Sequence, residues 1–235
     1  MSEIPIILNT RTFFIFLISL SSNLYLFSQS DYQFGTLPSI NVNHKISGNW
    51  TLNVKWEGRQ VYSQGEINTE FDDLPVYERN DIATLISYKT DLQQVIAVGY
   101  LIRFEMGEIF HRSIQQYTFL ESGYSSRRSH RISTDQTFSE VEDTEFRFRY
   151  RFTIEKPLSG IKVDSREFYL KFNNEYLNVL QGGEYDLEIR IVPLVGYKFT
   201  EDFKTEAGLD YRIESIINNT TSHNYWVSLG VYLSF

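Results

Sequence analysis

EFRFRYRFTIEKP, residues 145–157, alternates charged and aromatic side chains from Glu145 to Phe152. On an α-helix, where successive residues turn by about 100°, this order would leave no clean apolar face. On a β-strand the same order places aromatic rings on one side and guanidinium groups on the other. The sequence therefore predicts a strand with one face in an apolar medium and the other in a polar medium.

The same period of two recurs along most of the chain, and no helix longer than two turns is predicted after residue 28. The clearest further segments are residues 49–62, 94–105, 184–191, 206–215 and 224–235, and weaker ones lie near residues 80–88, 112–120, 128–138 and 167–177. Phe34–Ile46 is a candidate that contains Pro38. The predicted fold is all-β: a single antiparallel up-and-down transmembrane β-barrel of about 10–12 strands. These segments make ten strands and a probable eleventh. Because such barrels usually have an even number of strands, Phe34–Ile46 should be either extra to ten strands or part of twelve.

The N-terminus predicts a signal peptide. Arg11 precedes an apolar run from Phe13 to Leu20, which serines then interrupt. This run is too short for a spanning helix but suits a signal-peptide core, with cleavage after Ser28. The expected organisation is a signal peptide, residues 1–28, and an outer-membrane barrel domain, residues 29–235. A buried N-terminal helix is the alternative.

Composition excludes several function classes. The 235 residues carry a net charge of −8, which disfavours binding to nucleic acid, although arginines between aromatic rings can stack on bases. The absence of cysteine excludes disulfides, thiolate metal sites and a lipid-anchoring cysteine. No cofactor and no particular ligand is predicted.

Three features favour lipid over a protein core as the medium outside the strands. The strands are longer than those of soluble proteins, and their polar faces carry charges of both signs. Trp50 and Tyr62 share a face, about 40 Å apart along an extended strand. With strand tilt this distance suits the apolar band between two aromatic girdles. A secreted soluble β-barrel or sandwich is the alternative.

The connections between strands are expected to alternate in length. Short turns are predicted at Ser47–Asn49, Thr90–Gln93 and Thr200–Asp202, and longer loops at Ser63–Val76 and Ile217–Asn224. Alternating short turns and long loops is typical of outer-membrane barrels, whose short turns face the periplasm. The first long loop carries Glu66, Glu70, Asp72 and Asp73, which indicates a solvated acidic loop or a weak divalent-cation site without EF-hand spacing.

The last strand ends on the aromatic residue Phe235. It resembles the C-terminal signal of bacterial outer-membrane proteins that the barrel-assembly machinery recognises. The matching residues are Tyr225, Val227, Leu229, Val231, Leu233 and Phe235. Outer-membrane lipid and this machinery are therefore the expected partners.

Several motifs, taken in order, resemble an outer-membrane β-barrel family of Bacteroidota that carries only a domain-of-unknown-function label. They are SGNWTLNVKWEGR, FHRSIQQYTF, SHRISTDQTF, EFRFRYRFTIEKPL, FYLKFNNEYL and VGYKFTEDFKTEAGLDYR. The family's histidine–arginine pairs correspond to His111-Arg112 and His130-Arg131, and its Arg-x-Arg ladder leads to a turn at Lys156-Pro157-Leu158. The resemblance implies a location in the outer membrane and a barrel architecture, and it implies no activity.

The ladder Arg147, Arg149 and Arg151 is the strongest candidate site, with Phe146, Phe148, Tyr150 and Phe152 predicted to face lipid. One interpretation is a positive stripe that lines an anion-selective, porin-like pore. The favoured one is a filled interior, in which acids on other strands neutralise the arginines. The further residues predicted to face the interior are Glu184, Asp186, Glu188, Arg190, Asp210, Arg212 and Glu214.

The predicted function is therefore a non-enzymatic outer-membrane barrel: a narrow pore, a binding protein or a structural element. The alternative is an outer-membrane lipid-modifying hydrolase that uses a Ser-His pair at the membrane rim. Candidates are His111 beside Ser113, and His130 near Ser129 and Ser133. The four histidines, which include His44 and His223, lack metal-ligand spacing.

Overall fold

The chain folds as a closed β-barrel. The structure is a computed structural model that describes residues 30–66, 72–218 and 221–235, so the predicted signal peptide lies outside the described residues. The strands are β1 (Asp31–Ser47), β2 (Trp50–Glu66), β3 (Asp72–Lys89), β4 (Gln94–Glu105), β5 (Glu108–Ser122), β6 (Arg127–Phe138), β7 (Glu145–Pro157), β8 (Glu167–Gln181), β9 (Glu184–Lys198), β10 (Phe203–Glu214) and β11 (Ser222–Ser234). Among the described residues, no helix is long and apolar enough to cross a membrane.

Each strand pairs with its sequence neighbours in antiparallel fashion, and β1 closes the barrel by pairing with β11 in parallel. The all-β, up-and-down architecture is thus confirmed. The expectation of an even number of strands is wrong, because eleven strands form the barrel in the described part of the chain. With an odd number, the first and last strands run in the same direction, so the closing pair has to be parallel.

The candidate segment Phe34–Ile46 lies inside β1 and belongs to the barrel. Pro38 is tolerated there because the register between β1 and β2 passes from Thr36–Gln60 to Ser39–Glu57 and skips the proline. A proline has no N–H group to donate, so it is accepted where the ladder of hydrogen bonds is interrupted.

Connections at the two ends of the barrel do not separate into short turns and long loops as expected. The end that carries Phe235, here called the C-terminal end, has the connections 48–49, 90–93, 123–126, 158–166 and 199–202. The nine-residue connection 158–166 therefore lies among the short turns. The opposite end has two-residue turns at 106–107 and 182–183, and Gly182 and Gly183 supply the positive φ angles that such hairpins need.

The predicted long loop Ser63–Val76 is also shorter than expected. Strand β2 continues to Glu66 and β3 begins at Asp72, because the two strands pair beyond the irregularities at Gln60 and Ser63. Residues 67–71, which include Glu70 of the acidic cluster, lie outside the described residues.

Among the described residues, the interior of the barrel holds a small apolar cluster and a larger charged region. Leu37, Val61 and Trp226 are buried against each other. The guanidinium of Arg59 lies over the Trp226 ring, 4.4 Å from its centroid. A Cβ atom at Gly35 would come within 2.1 Å of the Gln60 carbonyl oxygen on β2 and 2.6 Å of the Trp226 ring, so glycine is needed at this position of β1.

Candidate functional site: the charged interior

Strand β7 presents its arginines to the interior and its aromatic rings to the outside. The side chains of Arg147, Arg149 and Arg151 are 8%, 20% and 31% exposed and contact carboxylates of other strands. Phe146 and Phe148 are exposed on the outer wall, and Tyr150 and Phe152 are half-buried there. The interior thus becomes progressively more open along the ladder from Arg147 to Arg151.

Two carboxylates hold the ladder together. Asp135 on β6 lies 2.5 Å from Arg147 Nε, 3.4 Å from Arg149 and 3.5 Å from Arg112. Glu175 on β8 lies 3.1 Å from Arg151, 3.5 Å from Arg149 and 3.8 Å from Arg190. Each carboxylate is therefore shared by three guanidinium groups. A further acid, Glu145, contacts Arg112 and Arg147 at 3.5 Å.

The carboxylate partners predicted for the ladder are not those that the structure shows, so that prediction is wrong. None of the acids predicted to neutralise the ladder forms an ion pair with its three arginines within the described structure. Two of them form ion pairs with an arginine two residues away on the same strand: Glu188 with Arg190, and Asp210 with Arg212 at 2.8 Å. Asp186 accepts a hydrogen bond from the Ile217 backbone N–H, Glu184 is exposed at the start of β9, and Glu214 is half-buried at the end of β10.

The true partners were missed because they sit on strands with weaker alternation. The missed signal was the register: Asp135 lies directly opposite Arg147, and Glu175 lies directly opposite Arg151. Direct cross-strand neighbours approach most closely, so an acid in that position is the natural partner of an arginine.

Further ion pairs extend the charged region around the rest of the wall. Arg103 binds both oxygens of Asp81 at 2.8 Å, and Lys171 lies 2.8 Å from Glu206. Tyr169, which is fully buried, donates a hydrogen bond to Glu206 at 2.7 Å. Buried charges require such partners, and each of these pairs supplies a charged interior side chain with its counter-ion.

At the C-terminal end of the barrel, a polar contact joins two connections. Glu201 accepts hydrogen bonds of 2.7 Å from Lys198 and from Ser165, which lies in the long connection 158–166. These hydrogen bonds, that from Lys198 first, lower the pKa of Glu201. The contact fixes the long connection beside the turn 199–202.

Three of the histidines bond to tyrosine hydroxyls on neighbouring strands. The Nδ1 atoms of His111, His130 and His223 lie 2.8–2.9 Å from the hydroxyl oxygens of Tyr100, Tyr150 and Tyr211. Ser113 donates its hydrogen bond to Gln136, and Ser133 is buried in the interior. The Ser-His contact that would mark a rim hydrolase does not occur at His111 or His130 in the described structure.

No group of three or more histidine or acidic side chains in the described ranges could hold a metal ion. The side chains of Asp72 and Asp73 are outside what the structure describes.

The sequence was also compared with models of known protein families. Residues 34–223 match the model of a family described as "protein of unknown function (DUF2490)". The chain belongs to the DUF2490 family. No curated protein and no solved structure matches the chain. The matched range covers the barrel from β1 into β11, including the arginine ladder and both shared carboxylates. The resemblance to a barrel family of unknown function is confirmed in that form.

Proposed function

We propose that this chain is a non-enzymatic outer-membrane β-barrel that serves as a binding or structural barrel, with an interior closed by its own ion pairs. One observation carries the proposal: charged side chains lie inside the barrel and apolar side chains lie outside, the reverse of a soluble protein. A membrane barrel requires this arrangement because lipid surrounds it.

Exposed apolar side chains occur on the outer wall of all eleven strands. Every strand carries at least one large apolar side chain that is exposed, in order Phe34, Val54, Ile86, Val98, Tyr117, Ile132, Phe148, Leu170, Val195, Leu209 and Leu229. Soluble monomers rarely expose a contiguous apolar patch of more than a few hundred Å². A belt of this extent supports embedding in hydrocarbon.

Aromatic pairs lie near both edges of the belt. Trp50 packs on Tyr88 with ring centroids 4.8 Å apart near the C-terminal end, and Tyr211 stacks on Tyr225 at 4.9 Å near the opposite end. On β2 the distance between Trp50 and Tyr62, about 40 Å along the strand, projects to about 30 Å at a typical tilt. That height is about the thickness of a bilayer's hydrocarbon core, and it supports lipid as the partner of the wall.

A polar interruption of the belt satisfies its own hydrogen bonds. Ser113 and Gln115 on β5 bond to Gln136 and Thr134 on β6, at 2.5–3.3 Å. Transfer to an apolar medium costs less free energy for polar groups that are hydrogen-bonded to each other than for unpaired ones. Elsewhere the wall has a groove of about 550 Å³, lined largely by apolar side chains that include Ile40, Trp56 and Phe168. An acyl chain would fit this groove.

The C-terminal strand supports recognition by the barrel-assembly machinery. Tyr225, Leu229 and Phe235 are exposed on the outer face of β11 and its end. The backbone of Phe235 bonds to Asn43 and Lys45 of β1 at 2.9 Å, so the last residue helps close the barrel.

The non-enzymatic character of the barrel is supported by the histidine contacts. In the described structure neither ring bonds to a serine: Nδ1 of each contacts a tyrosine hydroxyl, and Nε2, the usual base nitrogen of a Ser-His pair, bonds to no serine hydroxyl. A hydrolase would need a base oriented toward its nucleophile.

The closed interior predicts that the folded barrel conducts no ions. The purified protein would be reconstituted in planar bilayers beside the Arg149→Glu variant, and folding would be checked by heat-modifiable gel mobility. We expect no stable conductance steps from the wild type, because shared ion pairs occupy the interior. Stable steps whose ion selectivity changes in the variant would show an open, arginine-lined pore and would contradict the proposal.

A further inference from the structure

Arg131 stands apart from the other interior arginines. It lies on β6 directly opposite Arg151 on β7 and Thr118 on β5, so two guanidinium groups occupy one cross-strand position on the inner face. Like charges directly opposite each other in a sheet are destabilising. Arg131 also has no ion pair within the described ranges, and its Nε atom is buried without a hydrogen-bond partner.

The two nearest shared carboxylates are already engaged by other arginines and form no ion pair with Arg131 in the described structure. Asp135 already contacts Arg112, Arg147 and Arg149, and Glu175 already contacts Arg149, Arg151 and Arg190. This part of the wall therefore carries more guanidinium groups than carboxylates can neutralise. A buried charge without a partner is strongly unfavourable, so the arrangement calls for an anion from outside the chain.

Arg151 has a donor left for such an anion. Glu175 takes two hydrogen bonds from Arg151, through Nε at 3.2 Å and one terminal nitrogen at 3.1 Å. The other terminal nitrogen of Arg151 makes no hydrogen bond in the described structure. Of the three ladder side chains, Arg151 is also the most exposed.

We propose that Arg131 and Arg151 form an internal binding site for a small oxyanion of the phosphate type. Guanidinium groups present paired N–H donors that match two oxygens of one anion. An oxyanion between them would neutralise the opposed charges and give the Arg131 guanidinium its missing acceptors. This inference does not depend on what surrounds the barrel, because the site faces its interior.

The test is a titration of the purified, folded full-length barrel with inorganic phosphate, followed by ³¹P NMR line broadening at constant ionic strength. Arg131→Gln is compared with Arg127→Gln, which removes the same charge from an exposed position on the same strand. We expect saturable binding to the wild type and to Arg127→Gln, and binding weaker by about tenfold or more in Arg131→Gln.

Arg131→Lys keeps the charge but loses the fork of donors, so its affinity should fall between those of the wild type and Arg131→Gln. Heat-modifiable mobility verifies that each variant is folded, and the lysine variant still decides the question if the glutamine variant does not fold. The proposal is overturned if the wild type does not bind phosphate, or if each Arg131 variant that folds binds phosphate as tightly as the wild type. The phosphate titration does not measure conductance, so an absence of phosphate binding would not contradict the proposal that the barrel interior is closed.

Discussion

Replacing Glu175 by glutamine is expected to lower the free energy of unfolding by about 3–5 kcal/mol, the range for removing one partner of a buried ion pair. Glu175 is almost completely buried, and Arg149, Arg151 and Arg190 all contact it. The substitution keeps the shape of the side chain and removes only its charge, so three guanidinium groups lose their shared counter-ion. Urea unfolding of the reconstituted barrel, followed by gel mobility, measures the change.

Glu184→Gln is the matched control, because Glu184 is an exposed acid at the start of the adjacent strand β9. Its removal should change the free energy of unfolding by no more than about 0.5 kcal/mol, as for ordinary surface positions. Equal effects of the two substitutions would mean that the shared carboxylate does not hold the interior together.

Replacing Val98 by arginine is expected to destabilise the barrel in lipid by about 2–4 kcal/mol, the range for a cation on the lipid face at mid-bilayer. Val98 lies midway along β4, and 61% of its surface is exposed on the outer wall. In water such an exposed site would accept arginine at little cost. The free energy of unfolding in phospholipid vesicles therefore distinguishes the two media.

Val141→Arg provides the comparison, since Val141 is similarly exposed but lies in the connection 139–144 between β6 and β7. We expect that variant to unfold like the wild type. If Val98→Arg were equally neutral in vesicles, the outer wall would not be in contact with hydrocarbon.

The strand content of this fold could be predicted because alternation is a local property. Glu145–Pro157 reads as a strand without reference to any other segment, and β7 has those bounds. Alternation also separated the ladder arginines from the rings that share their strand. The parallel pairing of β1 with β11 could not be predicted from local alternation, because it depends on the total number of strands.

The partners of the ladder could not be predicted from local pattern alone. An acid's neighbour across a sheet depends on register, which turn lengths and irregularities such as that at Gln60 determine. Glu188 and Asp210 have suitable parity for the ladder, yet each finds an arginine two residues away on its own strand. In the sequence, Arg131 stands out only as part of the His130-Arg131 motif. That it has no ion pair in the described structure depends on the folded arrangement and could not be predicted.

The most direct test of the lipid-facing wall uses the absence of cysteine from the chain. Single cysteines at Val98, Phe148 and Leu209, which lie on three separate strands, would carry nitroxide spin labels in reconstituted vesicles. A label at Val141 would report the aqueous connection. We expect the three wall labels to be relaxed by dissolved oxygen and shielded from a water-soluble nickel chelate, and the Val141 label to be reached by the chelate. Chelate access to the wall labels equal to that at Val141 would contradict the membrane barrel.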